Sequence, residues 1–74
     1  MLKYSLTISG HRTSISLEPE YWQAFNDIAQ EKGRSVSGLA TDLDRTRTSN
    51  LSSTVRLFVL DHYRQLAKAH PVRS

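Results

Sequence analysis

The stretch "RTSISLEPEYW", residues 12–22, changes from one hydrophobic period to another. Up to Leu17, small hydroxyl residues alternate with apolar ones, and a period of two predicts a half-buried β-strand. Pro19 suits the first position of a helix, and the acidic residues on either side of it oppose the positive helix end. The sequence therefore predicts a strand that leads directly into a helix over residues 19–32, which Gly33 ends.

The alternation begins at Lys3, so the predicted β region covers residues 3–17. Gly10-His11 interrupts it. A type II′ turn with Gly10 at its first central position would form a hairpin. One longer strand with a bulge at Gly10 is the alternative, and the sequence does not choose between them. The hairpin would pair Ile8 with Thr13, Leu6 with Ile15 and Tyr4 with Leu17.

Two further helices follow. Ser35 is suited to cap a short helix over residues 36–44. Residues 45–50, "RTRTSN", contain no apolar side chain and predict a polar, basic loop that carries Arg45 and Arg47. Asn50 or Ser52 is suited to cap the last helix, residues 51–69, which His70-Pro71 ends before a short free tail.

The last helix is apolar on more than one side. Leu57 and Leu60 lie well outside its main stripe, and a helix of this kind needs more cover than one short amphipathic helix supplies. The chain has 74 residues, which is small for an independent hydrophobic core. Both observations predict an intertwined homodimer of one mainly α domain over residues 1–74. The main stripe consists of Val55, Phe58, Val59, His62, Tyr63 and Leu66.

Composition narrows the classes of function. The absence of cysteine excludes thiol chemistry and fits a reducing cytoplasm. The longest apolar run, residues 57–60, is too short for a membrane span or a signal-peptide core. Ten Lys and Arg residues against seven Asp and Glu residues give a formal charge of +3, which favours a polyanionic partner.

Enzymatic chemistry has little support in the sequence. It contains no glycine-rich phosphate loop and no nucleophile elbow. The three histidines, His11, His62 and His70, do not have the spacing of metal ligands. A chain of this size is also expected to offer no concave pocket. We therefore expect no enzyme activity, no metal and no cofactor.

The polar side of the strand region fits a DNA-contacting ribbon. A two-stranded antiparallel ribbon enters the major groove of B-DNA, where arginine binds guanine with two hydrogen bonds and serine donates or accepts one. Arg12, Ser14 and Ser16 have the matching chemistry and spacing. An ordinary exposed strand face would show the same alternation, so the pattern alone does not establish DNA binding.

The order of elements resembles the ribbon-helix-helix (Arc/MetJ-like) family of DNA-binding proteins. The resemblance covers residues 11–67 and rests on one strand with the polar outer residues, the helix opened by Glu-Pro-Glu-Tyr-Trp, the Gly-Arg-Ser turn and "NLSSTVRLFVLDHYRQL". It implies that two chains pair their strands across a dyad and interlock their helices, with Arg12, Ser14 and Ser16 contacting bases. The implied dimer core comprises Ile15, Leu17, Trp22, Phe25, Val55, Phe58, Val59 and Tyr63.

The sequence departs from the two-helix pattern, because residues 36–44 and 51–69 both qualify as the second helix. We favour an inserted short helix, as in a bacterial subgroup of the family. In the family the start of the second helix binds a DNA phosphate, which suits a helix N-terminus. The expected phosphate contacts are therefore Asn50, Ser52 and Ser53, with Ser35 as the alternative. Residues 2–9 are expected to lie outside the common motif, as a flanking strand, an arm on DNA or a cover for the dimer.

Three arginines surround the candidate phosphate-binding helix starts. Each would add a salt-sensitive contact that does not depend on base sequence. Individually each also fits an ordinary solvated loop residue. The three are Arg34, Arg45 and Arg47.

The first hypothesis is a homodimeric regulator of transcription, expected to be a repressor, that binds double-stranded DNA and assembles with further dimers there. The second is an antitoxin of the same fold whose partner is a toxin protein. It ranks lower because little chain follows His70 for a toxin-binding extension. The third is a dimeric protein-interaction module, which would show no salt-dependent affinity for duplex DNA.

Overall fold

The structure, a computed structural model, describes residues 1–69 and contains a hairpin followed by three helices. The described elements are β1 (Leu2–Ile8), β2 (His11–Leu17), α1 (Pro19–Glu31), α2 (Val36–Thr46) and α3 (Leu51–Ala69). The predicted end of the last helix at His70-Pro71 and the predicted tail lie outside the described residues. Over the part of the chain that is described, no helix is both long enough and apolar enough to cross a bilayer.

Strands β1 and β2 form an antiparallel hairpin, which decides between the two alternatives for this region. The predicted turn and register are wrong, because Ser9 and Gly10 form the turn. Both have positive φ, 50° and 83°, as a type I′ turn requires, and its twist matches that of the strands. The register is displaced by two residues, so the same side chains still face the core. The observed pairs include Leu2 with Leu17, Tyr4 with Ile15, Leu6 with Thr13 and Ile8 with His11.

The core lies between the inner face of the hairpin and the helices. Leu6, Ile8, Ile15 and Leu17 enter it from the strands. Each fully buried large apolar side chain contributes roughly 1.5–3 kcal/mol of burial free energy. All three helices contribute buried residues to this core. The largest fully buried side chains are Phe25, Leu17, Ile28 and Val55.

Aromatic side chains connect the hairpin to α1, and α1 to α3. Tyr4 stacks on Trp22 with ring centroids 4.3 Å apart and planes 8° apart. Phe25 meets Phe58 edge-on at 6.0 Å. Such pairs add about 0.5–1.5 kcal/mol beyond their burial. Trp22 is half-buried and Phe25 fully buried, so both belong to the packing of one chain.

Helix α1 begins and ends at the residues that its sequence indicates. Pro19 occupies its start. At its end Gly33 has φ 66°, its N–H donates to Gln30 O at 3.1 Å, and the Arg34 N–H donates to Ala29 O at 2.9 Å. This pair of bonds is a Schellman motif, which satisfies the last carbonyls of the helix. Lys32, predicted as the last helical residue, is the C-cap.

An ion pair joins the β2–α1 junction to α3. Arg56 Nε donates to Glu18 Oε1 at 2.9 Å. The hydrogen bond from Arg56 lowers the pKa of Glu18 below its ordinary value, because the charged carboxylate is the form that accepts it. The contact therefore fixes the entrance of α1 against a helix nearly forty residues further along the chain.

Helix α2 is longer than predicted and continues to Thr46. Arg45, predicted in a loop, therefore lies in its last turn, where a cation is favourable because the helix end is negative. The connecting loop contracts to residues 47–50. Ser35 caps the start of α2, since its Oγ accepts the Gly38 N–H at 2.9 Å.

Candidate nucleic-acid interface

The outer face of the hairpin is entirely polar. Three residues of β1 lie directly across from three of β2, in the pairs Lys3 with Ser16, Ser5 with Ser14 and Thr7 with Arg12. Ser16 is half-buried and the other five are exposed. Neither strand contains an aspartate or glutamate, so the face carries positive charge. We call these six residues the outer face.

The structure brings Arg12, Ser14 and Ser16 together on this face, as the alternation predicts. Lys3, Ser5 and Thr7 share this face but are not among the site residues predicted from the sequence. The signal for them was present, because a hairpin with period-two alternation places the polar residues of both strands on one side.

Helix α2 covers the turn end of the outer edge of β1. The Thr7 N–H donates to Ser37 Oγ at 3.1 Å, and the Ser9 N–H donates to Thr41 Oγ1 at 3.3 Å. These side chains take backbone donors that would otherwise be open to another strand. The first strand and the additional short helix therefore form one packed unit.

The outer edge of β2 is mostly open. The Ser16 N–H donates to Ser52 Oγ at 3.3 Å and so points away from β1. The N–H groups of Arg12 and Ser14 also point away from β1, because hydrogen-bonded and non-hydrogen-bonded pairs alternate along an antiparallel ladder. Neither of their N–H groups has a hydrogen-bond partner among residues 1–69. This edge can therefore accept another strand.

An open cleft of about 320 Å³ lies beside β2, so the expectation that the chain has no concave pocket is wrong. Its apolar lining comes from Ile8, Ile15 and Leu51. The cleft forms where the ends of α2 and α3 approach the hairpin, an arrangement that local sequence patterns do not specify. Its polar lining consists of Ser9, His11, Thr13, Ser14, Asp44 and Arg47.

The start of α3 lies next to the end of β2. Asn50 Oδ1 accepts the Ser53 N–H at 2.9 Å, which makes Asn50 the cap of this helix. Ser52 contacts Ser16 through the bond described above. Ser35 instead caps α2, whose first turn meets β1 through Ser37. The two helix starts thus approach opposite edges of the hairpin.

The arginines near these helix starts are partly engaged within the chain. Arg34 donates to Gly38 O and forms an ion pair with Asp42. The hydrogen bond from Arg34 to the Asp42 carboxylate lowers the pKa of Asp42. Arg47 donates to Asp44 at 2.6 Å and to Ser49 O at 2.9 Å. Arg45 is the most exposed of the three, with 72% of its side chain accessible and Asp42 3.8 Å away.

The residues predicted for the dimer core divide into two groups. Ile15, Leu17, Phe25, Val55 and Val59 are buried within one chain, and Trp22 and Phe58 are half-buried. Tyr63 is 43% exposed. It follows Leu60 and Leu57 at spacings of three and six residues along α3, and these two are 47% and 62% exposed. We call Leu57, Leu60 and Tyr63 the outer arc of α3.

The histidines do not form a metal site in the described part of the chain. No group of three His, Cys, Asp or Glu side chains there lies close enough to hold an ion. His62 is half-buried, with its Nε2 3.3 Å from Glu31 Oε2 but without hydrogen-bond geometry. Its ring contacts Tyr63 edge-on at 5.2 Å, so it lies at the border of the core.

A hairpin followed by these helices is a ribbon-helix-helix architecture. The sequence matches the family model described as "Ribbon-helix-helix domain" over residues 1–63, and the chain therefore belongs to this family. Residues 2–9, expected outside the common motif, lie within the matched span. Searches of curated proteins and of solved structures give no significant match.

Members of the family are generally DNA-binding regulators of transcription or antitoxins. They usually act as dimers and are typically not enzymes.

Proposed function

We propose that this protein is a homodimeric, sequence-specific DNA-binding repressor that acts in the bacterial cytoplasm, and that it is not an enzyme. The observation that carries the proposal is an acid-free polar strand face beside an open strand edge. The face supplies the chemistry for DNA, and the edge supplies a means of joining two copies.

Dimer formation follows from the open edge of β2. Unpaired strand edges bind further strands readily, and a second copy offers the same edge in antiparallel orientation about a dyad. The cleft beside β2 gives the partner's inward side chains an apolar surface at Ile8, Ile15 and Leu51. The outer arc of α3 adds exposed apolar area that a second copy would cover.

The paired β2 strands would enter the major groove with their outer face toward the bases. Outward residues two positions apart are separated by about 7 Å, and base pairs rise by about 3.4 Å. Arg12, Ser14 and Ser16 would therefore contact base pairs about two steps apart. Arginine favours guanine, and serine accepts several bases while letting the ribbon approach closely.

The start of α3 would bind the DNA backbone beside the ribbon. Asn50 accepts the Ser53 N–H, and the earlier N–H groups of the first turn, those of Leu51 and Ser52, have no partner within the helix. A helix N-terminus also carries partial positive charge. Ser52 and Ser53 lie in this first turn, so their hydroxyl groups are close to the proposed phosphate position. Arg45, with its exposed guanidinium, adds a further contact that is insensitive to base sequence.

The test is binding of the purified protein to duplex DNA from upstream of its own gene and to a scrambled duplex of equal length, across a salt series. We expect tighter binding to the upstream duplex and a steep loss of affinity with salt. Each neutralised phosphate adds about 0.9 to the slope of log affinity against log salt concentration. Equally weak binding to both duplexes would contradict the proposal and leave a protein partner as the remaining role.

A further inference from the structure

Strand β1 adds a second polar row to the outer face that the proposed function does not use. Lys3, Ser5 and Thr7 are exposed and lie directly beside the three proposed base-contacting residues. These pairs are the non-hydrogen-bonded ones, as the outward Thr7 and Ser16 amides indicate. Side chains of such pairs are the closest across a ladder, with Cα atoms about 4.5 Å apart.

The position of this row in a dimer follows from the two strand edges. Helix α2 occupies the turn end of the β1 edge through Ser37 and Thr41, and the dimer of the proposed function pairs β2, so each β1 strand lies on the outside. The resulting sheet has four strands in the order β1, β2, the partner's β2, the partner's β1. This step rests on the dimer of the proposed function.

The width of that sheet separates the roles of its strands. Neighbouring strands lie about 4.8 Å apart, so the two outermost strands are about 14 Å apart. The major groove is about 12 Å wide. The central β2 pair fits inside it, whereas each β1 strand must lie over a groove rim, where the phosphates are.

The chemistry of the β1 row fits that position. Lys3 supplies a positive charge, Ser5 and Thr7 supply hydroxyl donors, and no carboxylate lies on either strand. We propose that β1 is a phosphate-binding strand, in which Lys3 forms the ionic contact while Ser5 and Thr7 donate hydrogen bonds to backbone phosphate oxygens. Phosphate contacts position a protein on DNA, and base contacts give it specificity.

The test compares Lys3→Ala, Arg12→Ala and the unchanged protein on the upstream and scrambled duplexes across salt. Lys68→Ala is the charge-matched control, because Lys68 is exposed and lies about 24 Å along α3 from Ser52, which contacts β2. We expect Lys3→Ala to weaken binding to both duplexes by the same factor. It should also reduce the salt slope by about 1.8 per dimer, since two copies each lose one contact.

Each outcome separates this proposal from the proposed function. If the salt slope of Lys3→Ala equalled that of the Lys68→Ala control, the proposed role of β1 would be overturned. A preference of the unchanged protein for the upstream duplex would still support the DNA-binding function. A selective loss on the upstream duplex would also overturn it, because Lys3 would then contact bases. If the unchanged protein neither prefers the upstream duplex nor responds to salt, both proposals fail.

Discussion

Arg12 is the residue on which sequence preference should depend most. It is exposed at the turn end of β2, opposite Thr7, and it is the one cation that this strand places on the outer face. A guanidinium forms two parallel hydrogen bonds with guanine, which no other side chain of the proposed base-contacting set can do.

Replacement of Arg12 by alanine should cost about 1–3 kcal/mol of binding free energy and relax the preference at one base pair. Measured affinities for a set of duplexes with single base changes test this expectation, with Lys68→Ala as the charge-matched control. If the variant bound every duplex as the unchanged protein does, Arg12 would not contact a base.

Glu18 is the residue whose protonation should affect folding. Its pKa is lowered by the hydrogen bond from Arg56, so the folded state favours the carboxylate more than the unfolded state does. A lowered pKa stabilises the fold above the ordinary value of 4.5, and this contribution disappears as the pH falls through the folded-state pKa.

We expect Glu18→Gln to lower the free energy of unfolding at pH 7, with the difference from the unchanged protein vanishing in acid. Urea unfolding at a series of pH values measures this difference. Glu20→Gln, an exposed acid in the first turn of the same helix, is the matched control. A difference that persisted unchanged in acid would show that the Arg56 contact does not stabilise the fold.

At the scale of elements, hydrophobic periodicity predicted the faces of the hairpin correctly, whereas turn chemistry did not predict the position of the turn. The alternation from Lys3 to Leu17 identified the inner and outer faces, because a displacement of two residues leaves both unchanged. It did not locate the turn, since a non-glycine residue such as Ser9 gives no sequence signal that it will adopt positive φ. The cleft and the packing of α2 on the turn end of β1 depend on contacts between distant segments, which local patterns do not specify.

The open edge of β2 gives a direct test of strand pairing between copies. Proline at Ser14 removes an N–H that points away from β1, so the hairpin ladder survives, but pairing with a second β2 loses a donor. We expect Ser14→Pro to be monomeric in sedimentation equilibrium at concentrations where the unchanged protein is dimeric.

Ser5→Pro is the matched control, because Ser5 lies directly opposite Ser14 and its N–H also points away from the ladder. It should keep the dimer. Loss of the dimer in both variants, or in neither, would contradict pairing through β2. Circular dichroism of both variants checks that each hairpin is still folded.

At the scale of the whole molecule, folding and association should be coupled. A chain of 74 residues buries a modest core, and the outer arc of α3 remains exposed in one copy. Apolar area of this kind on a small domain indicates an interface. The family and the mainly α class were predictable because they depend on element order, and the sequence already placed Leu57 and Leu60 outside the main stripe of α3. The exposure of Tyr63, which the sequence placed in that stripe, became visible only in the structure.

We expect the thermal midpoint to rise with protein concentration, because each tenfold dilution removes about 1.4 kcal/mol of apparent stability from a dimer. Replacement of Leu57 and Leu60 together by glutamine should shift the protein to monomer. Gln65→Ala, an exposed position on another side of α3, is the control. A midpoint independent of concentration in the unchanged protein would contradict coupled folding.

The side chains of Ser37 and Thr41 that cover β1 have a consequence for how far assembly can proceed. A sheet with two open edges can add strands without limit, which is the route to fibres. Here α2 occupies the turn end of the β1 edge, so two copies joined along β2 would carry α2 at both outer borders. The two α2 helices would hinder strand addition at those borders, and we expect loss of the Ser37 and Thr41 hydroxyls to weaken this protection.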